Sequence, residues 1–97
     1  GMREYSQAEE AARLAIKLLP NYQLGYLFLA LALARQGRAA EAVNAARKLH
    51  EVAPYLTPQV YAASMHGLFR NTRQRDRAIA MFDQLWRDME AGEAVED

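Results

Sequence analysis

Four arginines stand close together in the second half of the chain and form its one basic cluster: Arg70, Arg73, Arg75 and Arg77. Guanidinium groups at the start of a helix can bind an anion or a phosphate, because the first backbone amides of a helix already favour negative charge. The other interpretation is a solvated loop whose charge is balanced by Asp76 and the acidic C-terminal residues. We favour the solvated loop, since one loop in a chain of zero net charge is a poor footprint for nucleic acid.

The other side chains with chemical potential are not arranged for catalysis or metal binding. His50 and His66 are the two histidines, they lie in different segments, and the chain has no cysteine. This pattern predicts no metal site. Ser6 and Ser64 have no histidine at helical spacing that could activate them as nucleophiles. We therefore expect a protein that is not an enzyme and that needs no cofactor.

The composition is that of a small globular domain. The 97 residues are 52% hydrophobic and 25% charged, and twelve basic side chains balance twelve acidic ones. The lack of cysteine excludes disulfides and fits a reducing compartment. The purely apolar stretch from Tyr26 to Ala34 is much shorter than the roughly 20 residues that span a bilayer. We expect a soluble cytoplasmic protein that has no membrane partner.

Local signals divide the chain into five helical segments. Ser6 and Glu9 have the spacing of a capping box, which predicts a helix start. Pro20 and Pro54 each stop a helix, and Gly37 has the position of a C-terminal glycine cap. Together with the spacing of apolar residues, these signals predict helices at residues 7–19, 22–36, 40–52, 58–70 and 76–89.

Further signals concern the last two helices. Thr57 followed by Pro58 is an N-cap with proline at the first helical position. We expect residues 71–75 to form a loop before the fifth helix. From Gly92 onward the tail is acidic, and we expect it to be frayed.

The two prolines that stop helices also mark an internal repeat. Pro20 and Pro54 are 34 residues apart, and the residues before them match without a gap. The matching segments are Ala8-x-x-Ala11-Ala12-Arg13 and Ala42-x-x-Ala45-Ala46-Arg47. A fixed period of this size is typical of a protein built from stacked helical hairpins.

The middle unit resembles the tetratricopeptide repeat (TPR) family. The residues that carry the resemblance are Tyr26-x-x-Leu29-Ala30-x-x-Leu33, Gly37, Ala42-x-x-x-Ala46 and Pro54. The resemblance implies an all-α fold of stacked antiparallel helical hairpins that wind into a right-handed superhelix. The chain would be a single domain of about two and a half repeats. Its parts would be the second helix of an incomplete repeat at 2–20, a full repeat at 21–54, an irregular terminal repeat at 55–91 and an acidic tail at 92–97.

The flanking units depart from the TPR pattern. The first unit lacks its first helix in this chain, so either the chain is a fragment or its first helix is a genuine cap. The third unit reads Val60-x-x-Ala63-Ser64 and then Ala78-x-x-x-Phe82. Its second helix arrives two residues late and no proline closes it, which is common in a terminal repeat that packs on one side only.

A weaker resemblance covers about residues 54–92. It is carried by Pro54-x-Leu56-Thr57, Phe69-Arg70-Asn71, Arg75-Asp76-Arg77 and Gly92. These residues are similar to the C-terminal TPR-like region of bacterial multidomain signalling proteins, where the hairpins follow a class III adenylate cyclase domain or a winged-helix domain. No catalytic motif of either domain is present, so this resemblance concerns context alone.

The TPR register implies a binding groove on the first helices of the repeats. Its residues would be Leu24, Leu27, Leu31 and Arg35 on the second helix and Tyr61, Met65, Leu68 and Phe69 on the fourth. TPR domains that bind acidic chaperone tails have lysines and asparagines there, so the leucines speak against that role. The groove would instead hold an amphipathic helix, a second copy of the chain or a neighbouring domain. The alternative is that these residues are simply core.

The predicted function is therefore a non-catalytic protein-interaction module, part of a larger multidomain or signalling protein, that binds a protein or peptide in an apolar concave groove. One alternative is a homo-oligomerisation or scaffold segment. Another is an anion or nucleic-acid contact through residues 70–77, although the zero net charge disfavours nucleic acid.

Overall fold

The computed structural model describes residues 2–68 and 72–96, and these form an all-α fold of helical hairpins. The helices are α1 (Met2–Leu18), α2 (Gln23–Arg35), α3 (Ala39–Val52), α4 (Pro58–Leu68) and α5 (Thr72–Glu96). No strand occurs in this part of the chain. The predicted fold class is confirmed.

The predicted capping box at the start of α1 is wrong. The helix begins at Met2, so Ser6 lies inside it and does not cap it. Glu9, the other half of the predicted box, instead directs its carboxylate to the turn between α2 and α3. A glutamate that fits a capping box can instead bind residues that are distant in sequence. Here Gln36 and Arg38 bind the Glu9 carboxylate.

α5 is longer than predicted at both ends. It includes residues 72–75, which were expected to form a loop, and it continues past Gly92, where a frayed tail was expected. No proline occurs in this stretch, and Gly92 alone costs a helix only about 1 kcal/mol. The predicted end of the fourth helix at Arg70, together with Phe69 and Asn71, lies outside the described residues.

Two predicted helix boundaries are confirmed by their hydrogen bonds. Gly37 has a φ of 77°, and its amide donates to the Ala34 carbonyl while the Arg38 amide donates to the Leu33 carbonyl. These two bonds are the Schellman arrangement that ends a helix at a left-handed glycine. At the start of α4, the Val60 amide donates to Thr57 Oγ1 at 3.3 Å.

The hairpins pack so that α5 completes the core. α1 packs against α2 and α2 against α3, each pair antiparallel, while the backbone of α4 approaches α5 alone among the described helices. α5 also contacts α3 and α2. Small residues line the buried face of α3, so its neighbours come close: Ala42, Ala45 and Ala46. Across the α4–α5 contact, the ring of Tyr61 stacks on that of Phe82 with centroids 4.8 Å apart.

No helix in the described part of the chain has the length and apolar character needed to cross a membrane.

A polar network ties α1 to the turn that joins α2 and α3. Glu9 Oε1 accepts hydrogen bonds from Gln36 Nε2 at 3.0 Å and from Arg38 Nη1 at 2.6 Å. Glu9 Oε2 accepts one from Arg13 Nε at 2.9 Å. The hydrogen bonds from Gln36, and then from Arg13 and Arg38, lower the pKa of Glu9 below its usual value. The ionised carboxylate therefore helps to hold the first hairpin together.

Replacing Glu9 with glutamine is expected to lower the free energy of unfolding near neutral pH by about 1 kcal/mol. Because the pKa of Glu9 is lower in the folded state, its stabilisation is complete above the ordinary value of 4.5 and is lost as the pH falls through the lowered pKa. The wild-type chain should thus lose more stability on acidification than Glu9→Gln does. Urea denaturation at neutral and acidic pH measures the difference.

The matched control is Glu10→Gln, because Glu10 is an exposed neighbour in the same helix. It should follow the wild-type pH dependence. If Glu9→Gln loses as much stability on acidification as the wild type, the network does not contribute as described.

Candidate functional site

The structure places five of the eight predicted groove residues in the core or packed against it. Leu27 is 4% exposed, Leu31 is 9% exposed and Tyr61 is 5% exposed. Leu24 and Met65 are partly buried against the same cluster. The core interpretation that the sequence left open accounts for these five residues in the isolated chain. A partner could contact the buried three only if neighbouring helices separated, so their role in binding stays a prediction.

The other predicted groove residues are placed differently. Arg35 is half-buried in the last turn of α2. Leu68 ends α4 and its side chain is not described, and Phe69 lies outside the described residues. Arg35 is also one of the residues that line a surface cleft.

The structure describes three of the four arginines of the predicted cluster. Arg73, Arg75 and Arg77 lie in the first turns of α5, and Arg70 lies outside the described residues. Arg75 Nε is 3.4 Å from Asp76 Oδ1, and the Arg75 side chain is 16% exposed. Arg73 and Arg77 are exposed. Of these three arginines, Arg77 is the one among the lining residues of a cleft that Arg35 also lines.

A surface cleft with a volume of about 600 Å³, the Arg35–Arg77 cleft, lies between the described helices. It lies where the start of α1, the end of α2 and the first half of α5 meet. Its lining consists of Tyr5, Ala34, Arg35, Gln74, Arg77, Ala80 and Met81. Two arginines thus line a space whose other described lining residues include alanines and a methionine but no aspartate or glutamate.

The elements that position the cleft are set by the first hairpin and by one face of α5. Arg35 Cζ lies over the Tyr5 ring, 5.3 Å from its centroid, which is the geometry of a cation–π contact. On α5, Gln74, Arg77 and Met81 are three and four residues apart, so they share one face of the helix. The cleft is therefore built from the consecutive helices α1 and α2 and from α5, which is distant from both in sequence.

The charge of Arg35 also acts on the buried Tyr61 hydroxyl. Burial raises the pKa of Tyr61 above its usual value, and the positive charge of Arg35 opposes this increase.

The two histidines lie apart, as the sequence indicated. His50 lies in α3, with its ring edge against Trp86 at 5.2 Å between centroids and with a buried Nδ1 that has no hydrogen-bond partner. His66 lies in α4 and lines a separate cleft of about 420 Å³ together with Asp76 and Asp83. Among the described residues, no group of three or more histidines and carboxylates is placed to hold a metal ion.

Sequence reasoning missed several residues of the cleft. Tyr5 was assigned to a loop before the first helix, and Gln74 to a loop before the fifth. The spacing of Gln74, Arg77 and Met81 would have been visible if α5 had been extended to Thr72. No signal in the sequence pairs this face with the end of α2.

Large apolar side chains remain exposed outside the cleft. Leu14 and Leu18 are 57% and 68% exposed and lie one turn apart on α1. Phe28 is 53% exposed on α2, four residues after the predicted groove residue Leu24. These side chains are the surface on which the self-association alternative depends.

Comparison of the chain with protein-family models, with curated proteins and with solved structures gave no match. The resemblance to the tetratricopeptide family, and the weaker one to bacterial signalling proteins, thus stay predictions that depend on the residues quoted for them.

Proposed function

We propose that the chain is a non-catalytic protein-interaction module that binds a peptide segment of a partner protein in the Arg35–Arg77 cleft. The observation that supports this proposal is the cleft itself, which is lined by two arginines from helices distant in sequence together with alanine and methionine residues. The proposal moves the predicted contact surface from the buried leucines to the cleft. It keeps Arg35 from the predicted groove and Arg77 from the predicted arginine cluster.

The dimensions of the cleft favour a short segment of a partner. A volume of about 600 Å³ is in the range of sites that enclose a small ligand or a few side chains. The combination of apolar lining and a few convergent polar groups is also typical of binding sites. Stacked helical hairpins supply a rigid support for such a site, because each helix is held by its neighbours.

The proposal includes the setting of the module. We place it in the cytoplasm as part of a larger multidomain or signalling protein, since its cysteine-free sequence needs no oxidising compartment. Self-association through Leu14 and Leu18 is the second candidate, favoured by their exposure. The solution mass of the chain over a concentration series separates the two, because the self-association candidate requires a mass that rises to that of a dimer.

A displayed library of random peptides tests the proposed function. Peptides selected on the wild-type chain should lose at least about tenfold in affinity for Gln74→Trp, since an indole at this exposed position fills the cleft. The matched control is Gln84→Trp, which makes the same change at an exposed position of α5 that does not line the cleft.

Circular dichroism of both variants shows that the helices are intact. If no peptide is enriched on the wild-type chain, the proposed function is wrong. If enriched peptides bind Gln74→Trp as tightly as Gln84→Trp, the chain binds peptides at another surface.

A further inference from the structure

We infer that the Arg35–Arg77 cleft is selective for an acidic peptide, in which a carboxylate side chain lies between the two guanidinium groups and a neighbouring apolar side chain packs on Ala34 and Met81. This inference rests on the proposed function and specifies the chemistry of the partner. It also differs from the apolar ligand that the predicted leucine groove implied.

The charges that line the cleft favour a negatively charged ligand. Arg35 and Arg77 both line it, and among its described lining residues there is no aspartate or glutamate. Neither guanidinium group forms an ion pair with a carboxylate in the described part of the chain. Other arginines of the fold do have carboxylate partners: Arg13 with Glu9, Arg38 with Glu9 and Glu41, Arg75 with Asp76, and Arg87 with Asp83. A bound carboxylate would supply the missing partner for two like charges.

The contact between Arg35 and Tyr5 restricts the Arg35 side chain before a ligand binds. With its Cζ 5.3 Å from the ring centroid, Arg35 has a restricted set of positions before any ligand arrives. A guanidinium group that is held by an aromatic ring loses less conformational entropy when it forms hydrogen bonds with a carboxylate. Tyr5 is therefore a positioning residue, and Arg35 is the better ordered of the two arginines.

The apolar lining decides between a peptide and a simple anion. Ala34, Ala80 and Met81 contribute surface that an inorganic phosphate would leave uncovered. The volume of about 600 Å³ also exceeds what a single small anion fills. A peptide satisfies both features, because one acidic side chain pairs with the arginines while its apolar neighbour covers the lining. The zero net charge of the chain argues against a nucleic-acid backbone as the source of the anion.

The test is an NMR titration of the isotope-labelled chain with a defined peptide. The peptide carries Glu-Leu-Glu between glycine and serine residues, and its control carries Gln-Leu-Gln at the same place. The acidic peptide should shift the amide signals around Arg35 and Arg77 and should bind at least about tenfold more tightly than its amide counterpart. Arg35→Gln and Arg77→Gln should each weaken the acidic peptide about tenfold.

The matched control for the arginine variants is Arg73→Gln. It removes the same charge from the exposed surface of α5, one turn before Arg77, at a position that does not line the cleft. It should change the affinity by less than about twofold. In a charge-reversal test, the Arg77→Glu variant should bind a Lys-Leu-Lys version of the peptide more tightly than the wild-type chain does.

Each contrary result has its own meaning. If the library peptides bind in the cleft but the amide peptide equals the acidic one, the acidic selectivity is wrong and the proposed function stands. If inorganic phosphate at matched ionic strength shifts the same signals as strongly as the peptide and displaces it, the cleft is a general anion site and the inference of a peptide is wrong. If Arg73→Gln weakens binding as much as Arg77→Gln, the effect is general charge and the assigned contacts are wrong.

Discussion

Replacing Phe82 with alanine is expected to lower the free energy of unfolding by about 3–5 kcal/mol. Phe82 is 4% exposed, and its ring stacks on Tyr61 at 4.8 Å and lies 6.3 Å from the Trp86 ring. It also belongs to the cluster that joins α5 to α2 and α3. The substitution therefore leaves a cavity at the place where α4 and α5 attach to the first three helices.

The comparison for this prediction is Phe28→Ala. It removes the same side chain from α2, but Phe28 is 53% exposed, so we expect a loss of about 1 kcal/mol or less. Urea denaturation followed by circular dichroism measures both losses. Phe82→Leu serves as a milder variant if the alanine variant is largely unfolded, since small domains have only about 5–15 kcal/mol of stability. Equal losses for the two phenylalanines would show that α5 does not pack on the core as described.

Leu33→Ala is expected to lower the free energy of unfolding by about 2–5 kcal/mol. Leu33 is 1% exposed and lies in α2, the helix that packs on both α1 and α3. Its carbonyl accepts the Gln36 and Arg38 amides at the helix end, and these backbone bonds do not depend on the side chain. The loss therefore reports the burial of the side chain and the cavity that its removal leaves.

Leu18→Ala is the matched control for Leu33→Ala. Leu18 is 68% exposed at the end of α1, so its truncation should cost less than about 1 kcal/mol. The same denaturation experiment applies to both variants. A small loss for Leu33→Ala would mean that α2 is not the central helix of the fold.

Local sequence features predicted helix ends well where no residue distant in sequence binds the capping groups. Gly37 ends α2 with the expected glycine cap, and Thr57 caps α4 through its hydroxyl oxygen. Each of these signals acts through hydrogen bonds between residues a few positions apart, so the sequence contains all that is needed. The signal at Ser6 failed because Glu9 has better partners in Gln36 and Arg38, which are near it only after folding.

The candidate site was predictable only in pieces. Arg35 and Arg77 were both singled out, but in different roles and in different predicted sites. Tyr5, which holds Arg35 in place, was not singled out at all. The TPR register assigned the leucines of α2 to a binding groove, whereas in the structure α2 contacts α1, α3 and α5. Leu27 and Leu31 consequently lie in the core.

The amino-acid sequence by itself determined the all-α fold, the order of five helices and the approximate residues where most of them begin and end. These features follow from side-chain periodicity, capping and the steric limits of proline and glycine, which act over less than two helical turns. Only the tertiary structure decided that α5 packs on α2 and α3 and that Tyr5, Arg35 and Arg77 meet in one cleft. Helix packing depends on the shape and apolar area of whole helix faces, and several faces of α2 are apolar enough to be buried. The choice among them is made by the combined fit of all five helices, which no local pattern contains.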